Sequence, residues 1–392
     1  MPSDLISKPV LLSKPRCNAV AAGLVVFVAS IVSQGNAWGQ GLKATAAKRS
    51  EIGAGAVFSI ETRTNAYTLD QLIDERFDQP LLKAKALFAM GDGGLNLNLT
   101  ERGCSLGVEQ NYRGAATTTR ETLEAFKGFD TNGFEIAPGE SVNLQFNSMS
   151  WTGSGMTYGC ASQVSPQNRF NVVFRWLVLD SFHSKNYSGG LSGGSAGTTV
   201  SVSEERYAIE PVFSLLQTTG KGQYFGLDAQ WSGESLGDRF GYRLQAKNLV
   251  NSIRLKNTPF LNRQIDAIVS DGDVIQRDRV PPLTGRYGNK DARLVAPLMW
   301  SLQTQYKLNT PLSLGVDLHG VNSTHQLLAV SQWACSTFCG PGNKLRLEVD
   351  TDGTTIGFGY QSRAFSLGLG FATGSNSTRL KGINQLQLRV QI

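Results

Sequence analysis

The sequence predicts an all-β chain: an antiparallel up-and-down transmembrane β-barrel of roughly 12 to 16 strands, with short helices in its N-terminal half. Three observations predict it. Apolar and polar residues alternate almost without interruption through the second half, so strand after strand has one aliphatic and one small or polar face. Charged residues make up only 17% of the chain, against about 25% in a typical soluble protein. Gly supplies 43 of 392 residues, above the usual ~7%, as many turns and close inward packing require.

The first residues form a unit of their own. Lys8, Lys14 and Arg16 precede the apolar run Ala19 to Val32, and small and polar residues follow. This is the layout of a secretory signal peptide over residues 1–39, with cleavage after Ala37 or Gly39. The run is shorter than the ~20 residues a spanning helix needs. Removing residues 1–39 takes away three basic residues and one acidic residue, so the formal charge falls from +6 to +4. That excludes a nucleic-acid-binding polycation.

Residues 40–187 read as a β-rich region with short helices, either the first part of the barrel or a plug or periplasmic module. "EIGAGAVFSIETR", "GLNLNLTE", "GCSLGVEQNYR", "SVNLQFNSMSW" and "RFNVVFRWLVLD" read as strands. Two capping-box patterns mark helices: Thr68 with Gln71 in "TLDQLIDERF", and Thr118 with Glu121 in "TTRETLEAF". Residues 188–203 are Gly/Ser-rich and read as a flexible loop or linker.

Residues 204–392 carry the clearest strands. "YFGLDAQW" sets Phe225, Leu227, Ala229 and Trp231 against Tyr224, Gly226, Asp228 and Gln230. "RLVAPLMWSLQTQYKL" aligns Leu294, Ala296, Leu298, Trp300 and Leu302 against Arg293, Ser301, Gln303, Gln305 and Lys307. In "PLSLGVDLHG", Leu312, Leu314, Val316 and Leu318 alternate with Ser313, Gly315, Asp317 and His319. The Asp-Gly of "DTDG" marks a tight turn, and "VSDGDVIQRDRVPPLTGRYGNKD" reads as a long charged loop.

Such strands fit either a lipid-facing barrel or a soluble periplasmic β-sandwich, in which aliphatic faces meet. A sandwich would expose faces dense in Lys, Glu and Thr. This chain's second faces are instead rich in Gly, Ser, Gln and Asn, which suits a hydrated lumen. Trp231, Trp300, Tyr306, Trp333, Tyr360 and Phe371 lie toward strand ends, as girdles at headgroup depth require. The chain ends "QLQLRVQI". With the preceding alternation, this resembles the C-terminal strand of Gram-negative outer-membrane β-barrel proteins, although Ile392 stands where an aromatic is usual. The resemblance covers roughly the last 170 residues. It implies residence in the cell outer membrane, contact with outer-membrane lipid, and delivery to the barrel assembly machinery through the C-terminal strand.

The inward positions supply the candidate site. Arg243, Lys247, Arg293, Lys307 and Arg389 would line a lumen together with Asp317 and His319; Arg175, Lys344, Arg346, Asp228 and Glu348 share the inward phase. If the barrel is open, a lining of this sign concentrates anions, because charge in a narrow low-dielectric tube acts along the whole passage; the alternative is that these charges pair with each other and with Gln to fill a closed interior. The function expected is passage of a solute or polymer, anionic or polyhydroxylated, across the outer membrane. The alternatives are a barrel-anchored assembly or adhesion component and a soluble periplasmic binding protein. No enzyme activity is expected. Asp317 could orient His319, but the sequence places no Ser beside it. "GLSGG" matches G-x-S-x-G without the strand–turn–helix context the motif needs. "DTDGTT" lacks the later ligands of a calcium loop. No cofactor motif or zinc spacing occurs. Of the exported cysteines, Cys335 and Cys339 form the natural short-loop pair, leaving Cys104 with Cys160, though three connectivities are open.

Overall fold

The computed structural model describes residues 53–65, 86–101, 103–130, 136–209, 219–235, 239–270, 273–275, 283–309, 311–335, 343–350, 355–362, 364–374 and 377–391. Their elements are β1 (Gly53–Thr64), β2 (Ala86–Glu101), β3 (Cys104–Thr119), α1 (Arg120–Asp130), β4 (Ser141–Ser165), β5 (Asn168–Gly194), β6 (Gly197–Ala208), β7 (Lys221–Ser235), β8 (Phe240–Ser270), β9 (Asp273–Ile275), β10 (Leu283–Leu294), β11 (Met299–Lys307), β12 (Leu312–Val321), β13 (Thr324–Ala334), β14 (Lys344–Asp350), β15 (Thr355–Gln361), β16 (Phe365–Gly374) and β17 (Ser377–Gln391).

All strands join one antiparallel sheet, and it closes: β1 pairs with β2 on one side and β17 on the other. β6 and β7 both pair with β5 and β8, so they act as one interrupted wall strand. β10 and β11 share β8 in the same way. β9 pairs only with the end of β8 and stands outside the ring, so the wall is a closed 14-strand barrel. Closure removes the open sheet edges that a lipid phase does not tolerate.

The outer face answers the alternation of β12. Leu314 and Val316 are 45% and 41% exposed, while Asp317 and His319 on the opposite phase are 1% and 2% exposed. Leu97 and Leu99 of β2, Phe174 and Trp176 of β5, and Leu345 and Leu347 of β14 are exposed in the same belt. A broad apolar belt around a closed barrel faces hydrocarbon.

The two ends differ. One end gathers the start of β1, the end of β17 and the short turns Glu101–Cys104, Ser165–Asn168 and Gln361–Phe365; we call it the turn end. The opposite, loop end includes α1 and a projecting wall. β4, β5 and β8 run for 25, 27 and 31 residues, against 7 to 11 for β12 to β16. In the projection, Ala125 of α1 packs with Leu144, Tyr187, Leu191, Val200 and Val202.

Several expectations change. The Gly/Ser-rich segment is no linker: β5 and β6 pair in continuous register down to Gly194 and Gly197. Residues on both sides of it belong to one barrel, because β1 to β5 share the ring with β7 to β17. α1 is capped one residue later than expected, with the Thr119 hydroxyl accepting from the Thr122 N–H at 3.2 Å. The charged loop before Arg293 is strand from Leu283 onward. The signal segment, the Thr68 helix and Gly353 lie outside the described residues.

Candidate functional site

The lumen is built by the period-2 rule. Along β3, Leu106, Val108 and Tyr112 are exposed outward, while Glu109, Asn111 and Arg113 are buried inward. An ionised side chain buried in this way must be paired, and here pairing runs from wall to wall.

Seven charges alternate in sign. Lys247 of β8 donates to Glu61 of β1 at 3.3 Å and to Asp92 of β2 at 3.0 Å. Asp92 accepts from Arg113 Nε at 2.8 Å. Arg113 makes a two-pronged contact with Asp228 of β7, Nη1 to Oδ1 at 3.2 Å and Nη2 to Oδ2 at 3.0 Å. Asp228 also accepts from Arg175 of β5, whose Nε reaches Glu109 Oε1 at 2.8 Å. The ladder begins and ends in a carboxylate and carries one net negative charge.

β1 and β8 are nearly opposite in the ring, so contact between Lys247 and Glu61 means that the barrel is pinched. Phe88 and Ala115 pack directly on Met299 and Val321, and β2 touches β12 and β13. Around eight strands suffice for facing side chains to fill a barrel; fourteen do so here only because two walls approach each other.

A wall irregularity shapes the ladder. β8 passes Asn248 at φ 61°, a left-handed conformation that Asn tolerates. Its ladder with β11 ends at Met299↔Lys247 and resumes with β10 at Leu294↔Ile253. Side-chain amides stitch the gap: Asn248 Nδ2 donates to the Pro297 carbonyl at 2.8 Å, and Asn251 Oδ1 accepts from the Ala296 N–H at 2.6 Å. Asn248 Oδ1 also accepts from Arg113 at 2.7 Å and from the Tyr224 hydroxyl at 2.8 Å. Tyr224 lies along the wall over Gly226, where a Cβ would collide with its hydroxyl. Above it Trp151 stacks at 5.2 Å, opening an apolar layer with Leu177, Leu179, Phe182, Ile253 and Leu255.

A second group lies across β1, β12 and β14. Arg346 bonds both Asp317 and Glu348. Glu348 lies 3.8 Å from Arg63 and accepts from Gln385 at 3.2 Å. His319 Nε2 is 3.6 Å from Asp317, and neither ring nitrogen has a hydrogen-bond partner. In the projecting wall, fully buried Glu204 is held by Arg206, Arg263 and the Tyr187 hydroxyl at 2.8 Å.

Toward the turn end the inward residues are small amides and glycines, such as Asn96 with Thr157 at 3.1 Å and Gln305 with Gln332 at 2.6 Å. Arg243 stands here in register with Gln303. Among the described residues Arg243 makes no ion pair. Arg389 is exposed, with Gln391 at 3.5 Å.

The expected lumen residues thus separate. Lys247, Asp317 and His319 are in the buried networks, and Arg243 is on the inward phase below them. Lys307 is at the rim, 48% exposed and 3.5 Å from Glu234. Arg293 corrects the expectation. The break over Val295–Leu298 reverses the phase, so Leu294 and Ala296 pack inward and Arg293 points outward, bonding Ser252 at 3.0 Å. Unbroken alternation had placed those apolar residues with Trp300. Glu61, Arg63, Asp92, Glu109 and Arg113 were missed, although "GVEQNYR" carries Glu109 and Arg113 on one phase. Cys104 and Cys160 form a disulfide between residues directly opposite on β3 and β4. Cys335 is also disulfide-bonded; Cys339 lies outside the described residues. "GLSGG" sits in the β5–β6 hairpin, with Ser192 paired in register with Ser141 and Thr199.

No family model and no curated protein matches the chain. Among solved structures, a Pseudomonas aeruginosa FadL homologue is 13% identical, with 86% of each chain covered and a TM-score of 0.33. The P. putida toluene transporter TodX is 9% identical over 88% of this chain and 89% of that one, at 0.32. The outer-membrane protease OmpT of Escherichia coli is 6% identical over 89% and 99%, at 0.21. Scores this low bear on neither solute nor chemistry. The closed sheet, the apolar belt outside it and the polar lumen within establish the class: the chain is an outer-membrane β-barrel.

Proposed function

We propose that this barrel mediates passage of a polar solute, anionic or polyhydroxylated, across the outer membrane, through a lumen shut by the charge ladder. The observation that carries the reading is the nature of the closure. Side chains alone bridge the walls between Glu61, Lys247, Asp92, Arg113 and Asp228. A fourteen-strand wall holds a passage once such contacts part. Arg243 and Arg389 would draw anions to the turn end, and the Asn and Gln lining would meet hydroxyls. We assign no catalytic step to Asp317 and His319. We also propose β17, held between β16 and β1, as the segment that the assembly machinery recognises.

Single-channel recording of the refolded mature protein in planar bilayers tests this. The wild type should conduct rarely, and the Lys247→Gln/Asp92→Asn variant, which removes one charge of each sign from the ladder, should open persistently. Anion preference should fall in Arg243→Gln/Arg389→Gln. Folded, inserted variants that never conduct would overturn the passage reading and leave a barrel serving as an anchor.

A further inference from the structure

The outer surface at the loop end of the belt holds a charged feature that the lumen does not use. Lys221 of β7 lies directly opposite Lys256 of β8, and Arg254 of β8 directly opposite Arg293 of β10. All four are exposed, and they alternate with Gly222, Tyr224, Ile253 and Leu255, which are buried inward. Like charges placed opposite each other on one sheet face repel. Among the described residues none of the four forms an ion pair. The nearby acids are Asp180, which accepts from the Ser154 hydroxyl at 3.4 Å, and Asp291, which accepts from the Asn257 N–H at 2.8 Å. With these two acids set against four cations, the patch keeps a net charge of about +2.

Its height is informative. Trp231, packed on Phe170, marks the aromatic girdle near the turn end of β7. From there to Lys221 is ten residues of β7, about 33 Å of strand, or about 25 Å along the membrane normal at a tilt near 40°. That is the height of the apolar band, so the cations stand at the opposite interface. Just below them are exposed Val250 and Val295, and Arg254 covers the Phe225 ring at 5.5 Å, with Trp176 stacked on Phe225. An apolar surface leading directly to a surplus of cations matches a lipid with acyl chains below and anionic groups above.

We propose that Lys221, Arg254, Lys256 and Arg293 bind the phosphorylated headgroup of an outer-leaflet lipid. This rests on the outer-membrane reading, with the loop end outward, as longer loops are in such barrels. The refolded mature protein in detergent, mixed with equimolar bisphosphorylated and fully dephosphorylated lipid A, should retain the phosphorylated form ~10-fold better in native mass spectra. The Lys221→Gln/Arg254→Gln/Lys256→Gln/Arg293→Gln variant should retain both equally, its fold checked by heat-modifiable gel mobility. Equal retention by the wild type, a requirement that holds whether or not the variant folds, would overturn the site. So would an undiminished preference in the folded variant. Loss of the preference in millimolar inorganic phosphate would assign the patch to free phosphate and overturn the lipid assignment. A wild type that takes up neither lipid and stays folded in buffer would instead sink the membrane reading, and this inference with it.

Discussion

Arg113 of β3 and Asp228 of β7 are joined by two parallel hydrogen bonds, at 3.2 and 3.0 Å, although β4 and β5 stand between their strands. This is the fork geometry in which a guanidinium binds a carboxylate most strongly. Removing one partner leaves a buried charge. Arg113→Leu should therefore lower unfolding stability in lipid vesicles by about 3–5 kcal/mol. Because Asp228 also holds Arg175, Arg113→Leu/Asp228→Leu should depart from the sum of the single losses by about 0.5–3 kcal/mol. Strictly additive losses in denaturant titrations would contradict direct coupling.

The two faces of β12 should respond oppositely to charge. Val316→Lys, at the middle of β12 on its outer face, sets an ammonium against lipid and should cost about 2–4 kcal/mol. Ser313→Lys, on the inward phase near the turn end, should change stability by less than about 1 kcal/mol. Comparing the unfolding midpoints of the two variants checks the direction of the belt. Equal costs would fit a soluble sheet better than a membrane wall.

The Cys104–Cys160 disulfide spans a sequence separation of 56 residues. Cys104→Ser/Cys160→Ser should lower stability by about 2–4 kcal/mol, chiefly by freeing the unfolded chain. Conductance in bilayers should not change, because both cysteines share the outward phase of Leu106 and Tyr158, away from the lumen.

Thr122 ties α1 to the projecting wall, its hydroxyl accepting from the Gln145 N–H at 2.9 Å. Thr122→Val keeps the volume and leaves that partly buried N–H without its partner, for a loss of about 1 kcal/mol. Thr119→Ala removes the helix cap for about 1 kcal/mol. Hydrogen exchange should show the Gln145 amide accelerating more in Thr122→Val than in Thr119→Ala.

The sequence was most legible where a strand meets lipid. Leu314 and Val316 point outward as their spacing requires, because burial against one continuous phase is a local, period-2 property. The same rule placed Lys247, Asp317 and Arg175 inward. It failed at Arg293, where Val295–Leu298 interrupts the ladder and reverses the phase; a run of apolar residues shows no mark of such a break. Asn248 and Asn251, which bridge that gap, look like any strand-face amides until Pro297 and Ala296 are seen beside them.

By itself the sequence determined the class of the protein and the side of each regular strand that meets the membrane. Tertiary structure alone decided which charges meet. Glu61 and Lys247 are 186 residues apart, and no spacing along the chain encodes their contact. It follows from closure through β1 and β17, and from the pinch that brings Phe88 onto Met299. Those contacts turn a polar interior, cationic on balance by its sequence and readable there as open or filled, into an alternating and nearly neutral bridge.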